Sequence, residues 1–483
     1  MSLPGVTITE TDGALGVLPA SEGKLLALIG TSTAGPVNTP ATYGRSSDIV
    51  ATFGAGPLVE AAATSIDRYG KPVVVVRSGN TVAGTVTEVV SDADGTSVVT
   101  LHASPTPSDD FDLAVKFIVG GTRGVAGATY QTSADGGRTW GPVTALGTGV
   151  AITIAGAGGV QFDLAAGTFV AGDLHTARAT APNFNGAELL SALDALAAST
   201  VSWGIVEIAG PIDASTFDNV ETKFSGLFNS KKYRAWIGHV RMPNIGESEA
   251  TYLGAMSAAF ASKATKFGAL CAGACKHTSS VSGRKYRRPI SHAVAAFQAS
   301  VSEEIDIADV NLGSLPGVSI RDINGNPDEH DEALNPGLDD ARFLTLRTHE
   351  GYEGVYITRP RLLAASGSDF DIIPRRLVLN LADEALAIYM LKRLHRPIIV
   401  AKATGKILES EARDIEAGAK AVMRARLMSK PKASDIDFVL SRVDNLLTTK
   451  TLNGDAFVLP LAYPEFINLK VGYTNPALLI QAV

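Results

Sequence analysis

The chain has 483 residues, 45% of them hydrophobic, and can therefore form several domains with buried cores. Its net charge of −7 lacks the basic surplus expected of a nucleic-acid-binding protein. The only cysteines, Cys271 and Cys275, stand four apart without a second pair, which argues against a zinc site or a disulfide framework. The start, MSLPGVTITE, is not typical of a signal peptide, and no run of about 18 apolar residues predicts a membrane span.

Residues 1–23 are predicted to form an extended N-terminal arm. Val6 and Ile8 alternate with Thr7 and Thr9 after the breaker Pro4-Gly5, and no helical period follows. A single strand cannot satisfy its own backbone hydrogen-bonding groups. We therefore expect this arm to add to a sheet of its own chain or of another.

Residues 24–80 alternate predicted strands and helices. The strands KLLALIG and KPVVVVR are continuously apolar, and the helices SSDIVATFG and PLVEAAATSIDRYG lie between them. Ser47 or Asp48 is expected near the cap of the first helix, and Gly70 should end the second. Continuous apolar strands separated by helices indicate a parallel sheet that is buried on both faces.

Residues 81–180 are predicted to form an all-β domain inserted into the α/β chain, because short strand patterns alternate with turns such as DADGT and GAGG. Within it, SADGGRTW at 133–140 fits the Asp-box pattern of sialidase-like propellers. Ser133 and Asp135 should bind backbone amides, the two glycines should take positive φ, and Trp140 should pack beneath. The box occurs once and has no arginine triad nearby. We interpret it as a hairpin turn on an outward-facing part of the segment.

The α/β pattern resumes in residues 181–300, where the strands WGIVEIAG and YRAWIGHV alternate with helices and Asp213 is a possible N-cap. This is a doubly wound pattern, which many functions share. SGRKYRRP at 282–289 places four basic residues around one tyrosine. It could contact phosphates, but a solvated face or the complement of an acidic protein patch is the favoured interpretation.

Residues 301–465 combine a polar loop with two long helices and a β region. DINGNPDEHDE at 322–332 resembles a calcium loop, but its glycine is fourth rather than sixth, so we expect a solvated loop. One helix carries Arg375 and Arg376 at its start, and the other, at 409–430, is acidic first and basic last. Asn453-Gly454 predicts a hairpin turn. Residues 466–483 are predicted to form a second extended arm.

Motifs that carry chemistry are missing from the sequence. It has no GxSxG elbow, no GxxxxGK[ST] phosphate loop and no HExxH, and its eight histidines are scattered. We therefore predict a protein that is not an enzyme, with no catalytic residue, no cofactor and no metal site.

Several segments, taken in order, resemble the tail sheath proteins of contractile phages and related contractile injection systems. PGVTITE is similar to the family's N-terminal arm, and LIGTSTAGPVNTP followed by SSDIVATFGAGPLVEAA resembles its strand, GP-x-N-x-P loop and short helix. KPVVVVR is similar to the strand that closes this unit. DARFLTLRTHEGYEGVYITRPRLLAASGSDFDIIPRRLVLNLADEAL resembles the core stretch that ends in the family's RR-bearing helix.

This resemblance implies a multidomain α/β (α+β) fold, with a sheath core, an inserted all-β domain at 81–180 and extended arms at both ends. It implies a structural subunit that polymerises as stacked hexameric rings into a helical tube and contracts. Its partners would be further copies of itself, the inner tail tube, the baseplate and the tail terminator, with no direct contact to nucleic acid and no membrane insertion. The protein would be assembled in the bacterial cytoplasm and reside in the tail of a virion.

The resemblance also suggests interface residues. Strand exchange by the arms would use the apolar residues Val6, Ile8, Leu469, Val471, Leu478 and Ile480. The helix at 409–430 would face the inner tube with Arg413, Lys420, Arg424 and Arg426. The alternative is a carbohydrate-binding or carbohydrate-cleaving protein built on the β domain.

Overall fold

The apolar strands that the sequence predicts lie at the centre of a six-stranded sheet. The structure is a computed structural model that describes residues 25–103, 106–322 and 324–472. The chain divides into two units, Met1–Arg396 and Pro397–Val483. Across the described residues, no helix combines the length and apolarity that a membrane crossing requires.

The first unit opens with the elements β1 (Leu25–Gly30), β2 (Ala41–Tyr43), α1 (Ser46–Phe53), α2 (Pro57–Tyr69) and β3 (Val73–Arg77). Gly70 ends α2 as predicted, with a left-handed φ of 63° that glycine adopts at little cost. Ser47 and Asp48 lie near the cap of α1, as predicted, although neither is the N-cap itself. Arg45 is its N-cap and makes no side-chain capping bond, and Ser47 and Asp48 lie inside the first turn.

The next stretch is built from strands: β4 (Val90–Asp92), β5 (Val99–Leu101), β6 (Phe111–Val119), β7 (Gly121–Thr122), β8 (Thr129–Ser133), β9 (Thr144–Ala145), β10 (Ala151–Thr153), β11 (Gln161–Leu164), β12 (Thr168–Phe169) and β13 (Leu174–Ala179). We call residues 81–180 the β segment. Its largest sheet has the order β4-β13-β6-β8-β9, so β4 is an edge strand. Phe117, Phe162 and Phe169 lie in its own hydrophobic cluster.

The α/β pattern then returns with α3 (Gly186–Ala198), β14 (Trp203–Pro211), α4 (Ala214–Asn229), β15 (Ala235–His239), α5 (Glu249–Phe260) and β16 (Gly268–Cys271). Asp213 caps α4 as predicted, because its side chain accepts from the N–H of Thr216 at 2.7 Å.

The central sheet has the order β16-β15-β14-β1-β3-β2, with all neighbours parallel except β2 and β3. Along β1, Leu26 and Leu28 belong to the apolar cluster on one face, and Ala27 and Ile29 to the cluster on the other. The prediction of a parallel sheet buried on both faces is therefore confirmed, as is the mixed α/β fold class.

The first unit ends with β17 (Ala274–Thr278), β18 (Lys285–Pro289), α6 (Ser291–Ser300), a 3₁₀ turn (Val310–Leu312), β19 (Val318–Ser319), β20 (Leu346–His349), β21 (Tyr352–Ile357) and α7 (Ile373–Leu391). FGALCAGA, predicted as one strand, is divided between β16 and β17, with Gly273 at a φ of 97° between them. Cys271 and Cys275 are free and buried, which agrees with their interpretation as small apolar core residues.

The second unit contains α8 (Glu409–Leu427), β22 (Asp435–Leu440), α9 (Leu446–Thr449) and β23 (Gly454–Leu459). β22 and β23 pair antiparallel, so the two predicted strands exist. The predicted tight turn at Asn453-Gly454 was wrong, because residues 441–453 connect the strands and Gly454 already belongs to β23.

The Asp box has the bonding that its sequence predicts. The Ser133 hydroxyl accepts the N–H of Gly137 at 2.9 Å, and Asp135 Oδ1 accepts the N–H of Thr139 at 2.9 Å. Gly136 and Gly137 have φ of 73° and 83°. The turn does not project freely outward as expected, because Arg138 donates to the carbonyl of Arg321 at 3.2 Å.

Asp135→Ala should destabilise the β segment by about 1–3 kcal/mol, because the N–H and hydroxyl of Thr139 lose their buried acceptor. Chemical denaturation of the full chain measures this change. The control is Asp92→Ala on the exposed strand β4, which should change stability by less than about 0.5 kcal/mol. Equal effects of the two substitutions would contradict a structural role for the box.

Candidate functional site

The second unit presents a two-stranded sheet with one covered face. Ile436, Phe438 and Leu440 of β22 are buried, and β22 packs on α8. The buried residues of α8 recur with helical spacing: Ala412, Ile415, Ala419, Met423 and Leu427. α8 therefore covers one face of the two-stranded sheet and leaves the outer edges of β22 and β23 available for strand pairing.

The outer edge of β22 is capped by carboxylates. The outward N–H groups of Ile436 and Phe438 donate to Asp435 Oδ1 and Asp437 Oδ1, both at 2.8 Å. The N–H of Leu440 donates to Glu416 Oε1 at 2.7 Å. Another strand could pair here only by displacing these carboxylates.

The outer edge of β23 carries no such caps in the described residues. Because the N–H of Ser441 donates to the carbonyl of Asn453, the alternation of the ladder directs the N–H groups of Ala456 and Val458 away from β22. Phe457 and Leu459 on this strand are 57% and 58% exposed. β23 thus has the properties of a strand edge that can accept another strand.

The difference between the capped edge of β22 and the uncapped edge of β23 was not predicted from the sequence. The signal was the pair Asp435-x-Asp437 in an otherwise apolar strand, since aspartate is unfavourable in strands unless it has a local role.

Of the predicted arm residues, Leu469 and Val471 lie in a stretch that forms neither helix nor strand, and they are 80% and 95% exposed. Val6, Ile8, Leu478 and Ile480 lie outside the described residues. The interface role of all six stays a prediction.

The predicted tube-facing residues do not form one free basic surface on α8. Arg413 pairs with Glu409 at 2.8 Å, and Lys420 pairs with Asp437 at 2.6 Å. Arg424 and Arg426 are exposed in the last helical turn. Two of the four side chains therefore have carboxylate partners within the unit.

In the first unit, the basic stretch 282–289 is solvated only in its first half, where Lys285 is exposed and Arg284 is half-buried. Arg287 and Arg288 on β18 are buried, and their partners belong to this chain: Arg287 Nε lies 2.7 Å from Glu329 Oε1, and Arg288 Nη2 lies 2.7 Å from Asp109 Oδ2. The acidic groups that complement these two arginines therefore belong to this chain and not to another protein. Desolvation explains this arrangement, since a buried guanidinium requires a carboxylate partner.

Residues 322–332 were expected to form a solvated loop, and this expectation is correct only for the first residues of the segment. Asp322 accepts from the N–H groups of Asn324 and Asn326 in an exposed turn, whereas residues 329–332 are buried. His330 lies between Glu249 and Glu332, at 2.8 and 2.9 Å. Burial opposes its charge, but these hydrogen bonds raise the pKa of His330 to about 9.

These charges connect the β segment to the α/β core. Asp112 of β6 binds Arg178 at 2.9 Å and Lys276 of β17 at 3.0 Å. Burial opposes ionisation, yet Lys276 and Arg178 hold the pKa of Asp112 at about 2. We call the pairs Asp112–Lys276 and Asp109–Arg288, which join the β segment to β17 and β18, the charged junction.

A groove of about 710 Å³ lies beside this junction, at the carboxyl end of the central sheet. The last residues of β14 and β15 line it, together with the chain before β4 and the loop 241–245. The strand order changes direction between β1 and β14, because β3 lies beyond β1 and β15 lies beyond β14. The groove lies next to this switch point, at the ends of β14 and β15, on the edge of the sheet where doubly wound folds bind ligands.

Two histidines line the groove and are themselves buried. His239 Nδ1 lies 3.1 Å from Ser291 Oγ, and His292 Nδ1 lies 2.6 Å from Glu207 Oε1. Burial, aided by the neighbouring His292, lowers the pKa of His239 to about 3. Ser291 is fully buried, so this serine is not presented to a substrate. Among the described residues, no three His, Cys, Asp or Glu side chains are arranged to hold a metal ion.

The model of the DUF2586 family, N-terminal domain, matches residues 3–361, more than half of the chain. The chain belongs to the DUF2586 family. No curated protein sequence matches this family member significantly.

The fold is similar to that of contractile sheath components. The PVC sheath complex of an extracellular contractile injection system, in its contracted state, matches with a TM-score of 0.52 at 11% identity, over 98% of both chains. The anti-feeding prophage baseplate, in its six-fold symmetrised structure, matches at 0.51 and 10% identity, over 98% of this chain and all of the other. A sheath tail protein of Desulfitobacterium hafniense matches at 0.47 and 12%, over 95% and 100%. The expected resemblance to sheath proteins is confirmed for the fold of this DUF2586 protein.

Arg288→Met should destabilise the first unit by about 3–5 kcal/mol, because Asp109 would remain buried without its guanidinium partner. Urea denaturation of the full chain measures the loss. The double variant Asp109→Leu/Arg288→Met should recover at least half of the lost stability, since it removes both charges. Failure of this recovery would show that Arg288 acts by packing rather than by charge compensation.

Acid should destabilise the fold through the buried histidines His239 and His277, whose pKa values are both lowered to about 3 by burial. Between pH 6.5 and 3 the unfolded chain binds these protons and the folded chain does not, so stability falls as pH falls. The slope is at most about 1.4 kcal/mol per pH unit for each histidine. His239→Gln should flatten the dependence of unfolding free energy on pH in this window, measured by denaturation of the full chain at a series of pH values. Parallel curves for wild type and His239→Gln would refute the assignment.

Proposed function

We propose that this protein is a structural subunit of a contractile tail sheath. The observation that carries the proposal is the fold likeness to the PVC sheath complex, which extends over 98% of both chains. A likeness of this extent concerns the whole chain rather than one widespread domain.

Subunits of such a sheath would join through strand addition between copies. The open edge of β23 supports this step, because its outward N–H groups and exposed apolar side chains suit an extended, apolar segment. The terminal arms, with Val6 and Ile8 at one end and Leu469, Val471, Leu478 and Ile480 at the other, are the proposed donors. Head-to-tail contacts that do not close generate helical tubes, here as stacked hexameric rings.

The capped edge of β22 gives this assembly a direction. A two-stranded sheet with two open edges could accept strands on either side and so polymerise in more than one register. With Asp435, Asp437 and Glu416 on the β22 edge, we propose that β23 alone accepts the incoming strand.

The remaining parts of the proposal concern the assembled particle. The sheath would surround an inner tail tube, contact baseplate and terminator proteins, and contract by rigid-body rotation of subunits whose arms stay linked. Arg424 and Arg426 are the proposed tube contacts, together with Arg413 and Lys420 if their carboxylate partners separate. The β segment would be an inserted domain on this core, and the particle would be a virion tail assembled in the bacterial cytoplasm.

Purified protein, alone or with its tube protein, should form hollow helical rods under negative-stain electron microscopy. Ala456→Pro should abolish the rods, because proline removes an outward N–H of β23 while the pairing of β23 with β22 is retained. Folding of the variant is checked by its circular dichroism and melting temperature.

The matched control is Ala456→Val, which keeps the N–H and has high strand propensity. It should form rods as the wild type does. Rods from Ala456→Pro at wild-type yield would refute strand addition at β23, and a monodisperse wild-type monomer in the presence of tube protein would refute the sheath function itself.

A further inference from the structure

The groove at the carboxyl end of the central sheet is lined mostly by apolar groups. Pro57, Pro182, Pro211 and Pro243 contribute rigid walls of low polarity. Its rims carry aliphatic side chains in water: Val82, Val90 and Ile245 are 44%, 57% and 46% exposed. Exposed aliphatic residues grouped at one concave site mark a binding surface rather than scattered surface residues.

Three arginines in the lining of the groove already have carboxylate partners within the chain. Arg178 is paired with Asp112, Arg241 with Glu247 at 2.6 Å, and Arg287 with Glu329. A polar small molecule would have to compete with these internal ion pairs. The lining therefore favours an apolar occupant.

One wall of the groove is a strand edge. Residues 82–92, which include β4, pair on one side with residues 174–183, through Val82–Asn183, Val86–Ala179 and the β4–β13 ladder. β4 ends the order of its sheet, so its other side has no strand partner among the described residues. An extended segment entering the groove could continue this sheet and bury apolar side chains against the walls.

The chain contains a segment of this kind. In residues 3–12, Val6 and Ile8 alternate with Thr7 and Thr9, so a strand formed there has one aliphatic face and one hydroxyl face. Paired with residues 86–90, it would place the aliphatic face in the groove and the threonines toward water.

The length of chain before β1 permits this docking. Leu25 begins β1 at the amino end of the sheet, and the six residues of β1 span about 20 Å to the end where the groove lies. The residues between Ile8 and Leu25 span up to about 55 Å when extended, at about 3.3 Å per residue. They suffice to pass around the sheet and its helices.

We infer that, in the unassembled subunit, the groove holds residues 3–12 of its own chain as an added strand beside residues 86–90. The docked segment covers Val82, Val90 and Ile245 and keeps Val6 and Ile8 from pairing with other copies. This inference rests on the proposed function, in which the same arm pairs with a neighbouring subunit after assembly. The groove would thus store the arm until assembly begins.

Disulfide trapping tests the contact in the full chain at a concentration where it is monomeric. The native cysteines are buried, so a disulfide that forms joins the engineered cysteines. Ile8→Cys combined with Val90→Cys should form an intrachain disulfide at a yield at least ten-fold above that of Ile8→Cys combined with Val143→Cys. Val143 is a matched control because it is 55% exposed in the same β segment.

Equal yields for the two pairs would overturn the inference, and so would disulfide-linked dimers without the intrachain product. A second measurement needs no cysteine: amide hydrogen exchange at residues 86–90 should be at least ten-fold slower in the full monomer than in a variant lacking residues 1–23. Unchanged exchange would also overturn it. Neither outcome bears on rod formation, so failure of the storage contact is distinguishable from failure of the sheath function.

Discussion

The pairing of strand edges is the constraint on which the organisation of this chain depends. Backbone N–H and C=O groups removed from water require partners, and a sheet meets this requirement everywhere except at its edges. Among the described residues the edges differ: carboxylates cap β22, whereas β23 and β4 have no strand partner on their outer sides. Such edges are suited to completion by strands from elsewhere in the chain or from other copies, which is the role proposed for the predicted arms. Assembly would then continue the same hydrogen bonding that forms the fold.

A second constraint is the cost of burying charge. Each buried guanidinium or ammonium group at the charged junction lies beside a carboxylate, and Asp112 lies within 3.0 Å of two cations. Isolated, these charges would destabilise the fold by several kcal/mol each. Paired, they hold the β segment to the core with directional bonds that hydrophobic contacts alone do not provide. If the chain is a sheath subunit as proposed, this junction would let the β segment and the core rotate together during contraction.

Much of the fold could be predicted from the sequence, because local patterns decide it. The continuous apolar runs of β1 and β3 predicted the two-sided sheet, Gly70 and Asp213 marked helix ends, and the Asp box carried its own bonding pattern. The burial of Arg287 and Arg288 could not be predicted, because it depends on Asp109 and Glu329, which are far away in sequence. Charge runs are solvated in most proteins, and only the tertiary partner reverses this expectation. The groove was unpredictable for the same reason, since its walls come from seven separate stretches of chain.

The groove shows how a doubly wound sheet can present apolar surface at the carboxyl ends of its strands. Enzymes with this fold place reactive polar groups at the carboxyl ends of the strands. Here the arginines at that position are paired internally, Ser291 is fully buried, and burial lowers the pKa of His239 so far that the imidazole is neutral at physiological pH. What faces the groove is mainly proline and aliphatic surface beside a strand edge. Such a surface suits recognition of a polypeptide through backbone pairing and apolar burial, as the storage of residues 3–12 inferred above would require.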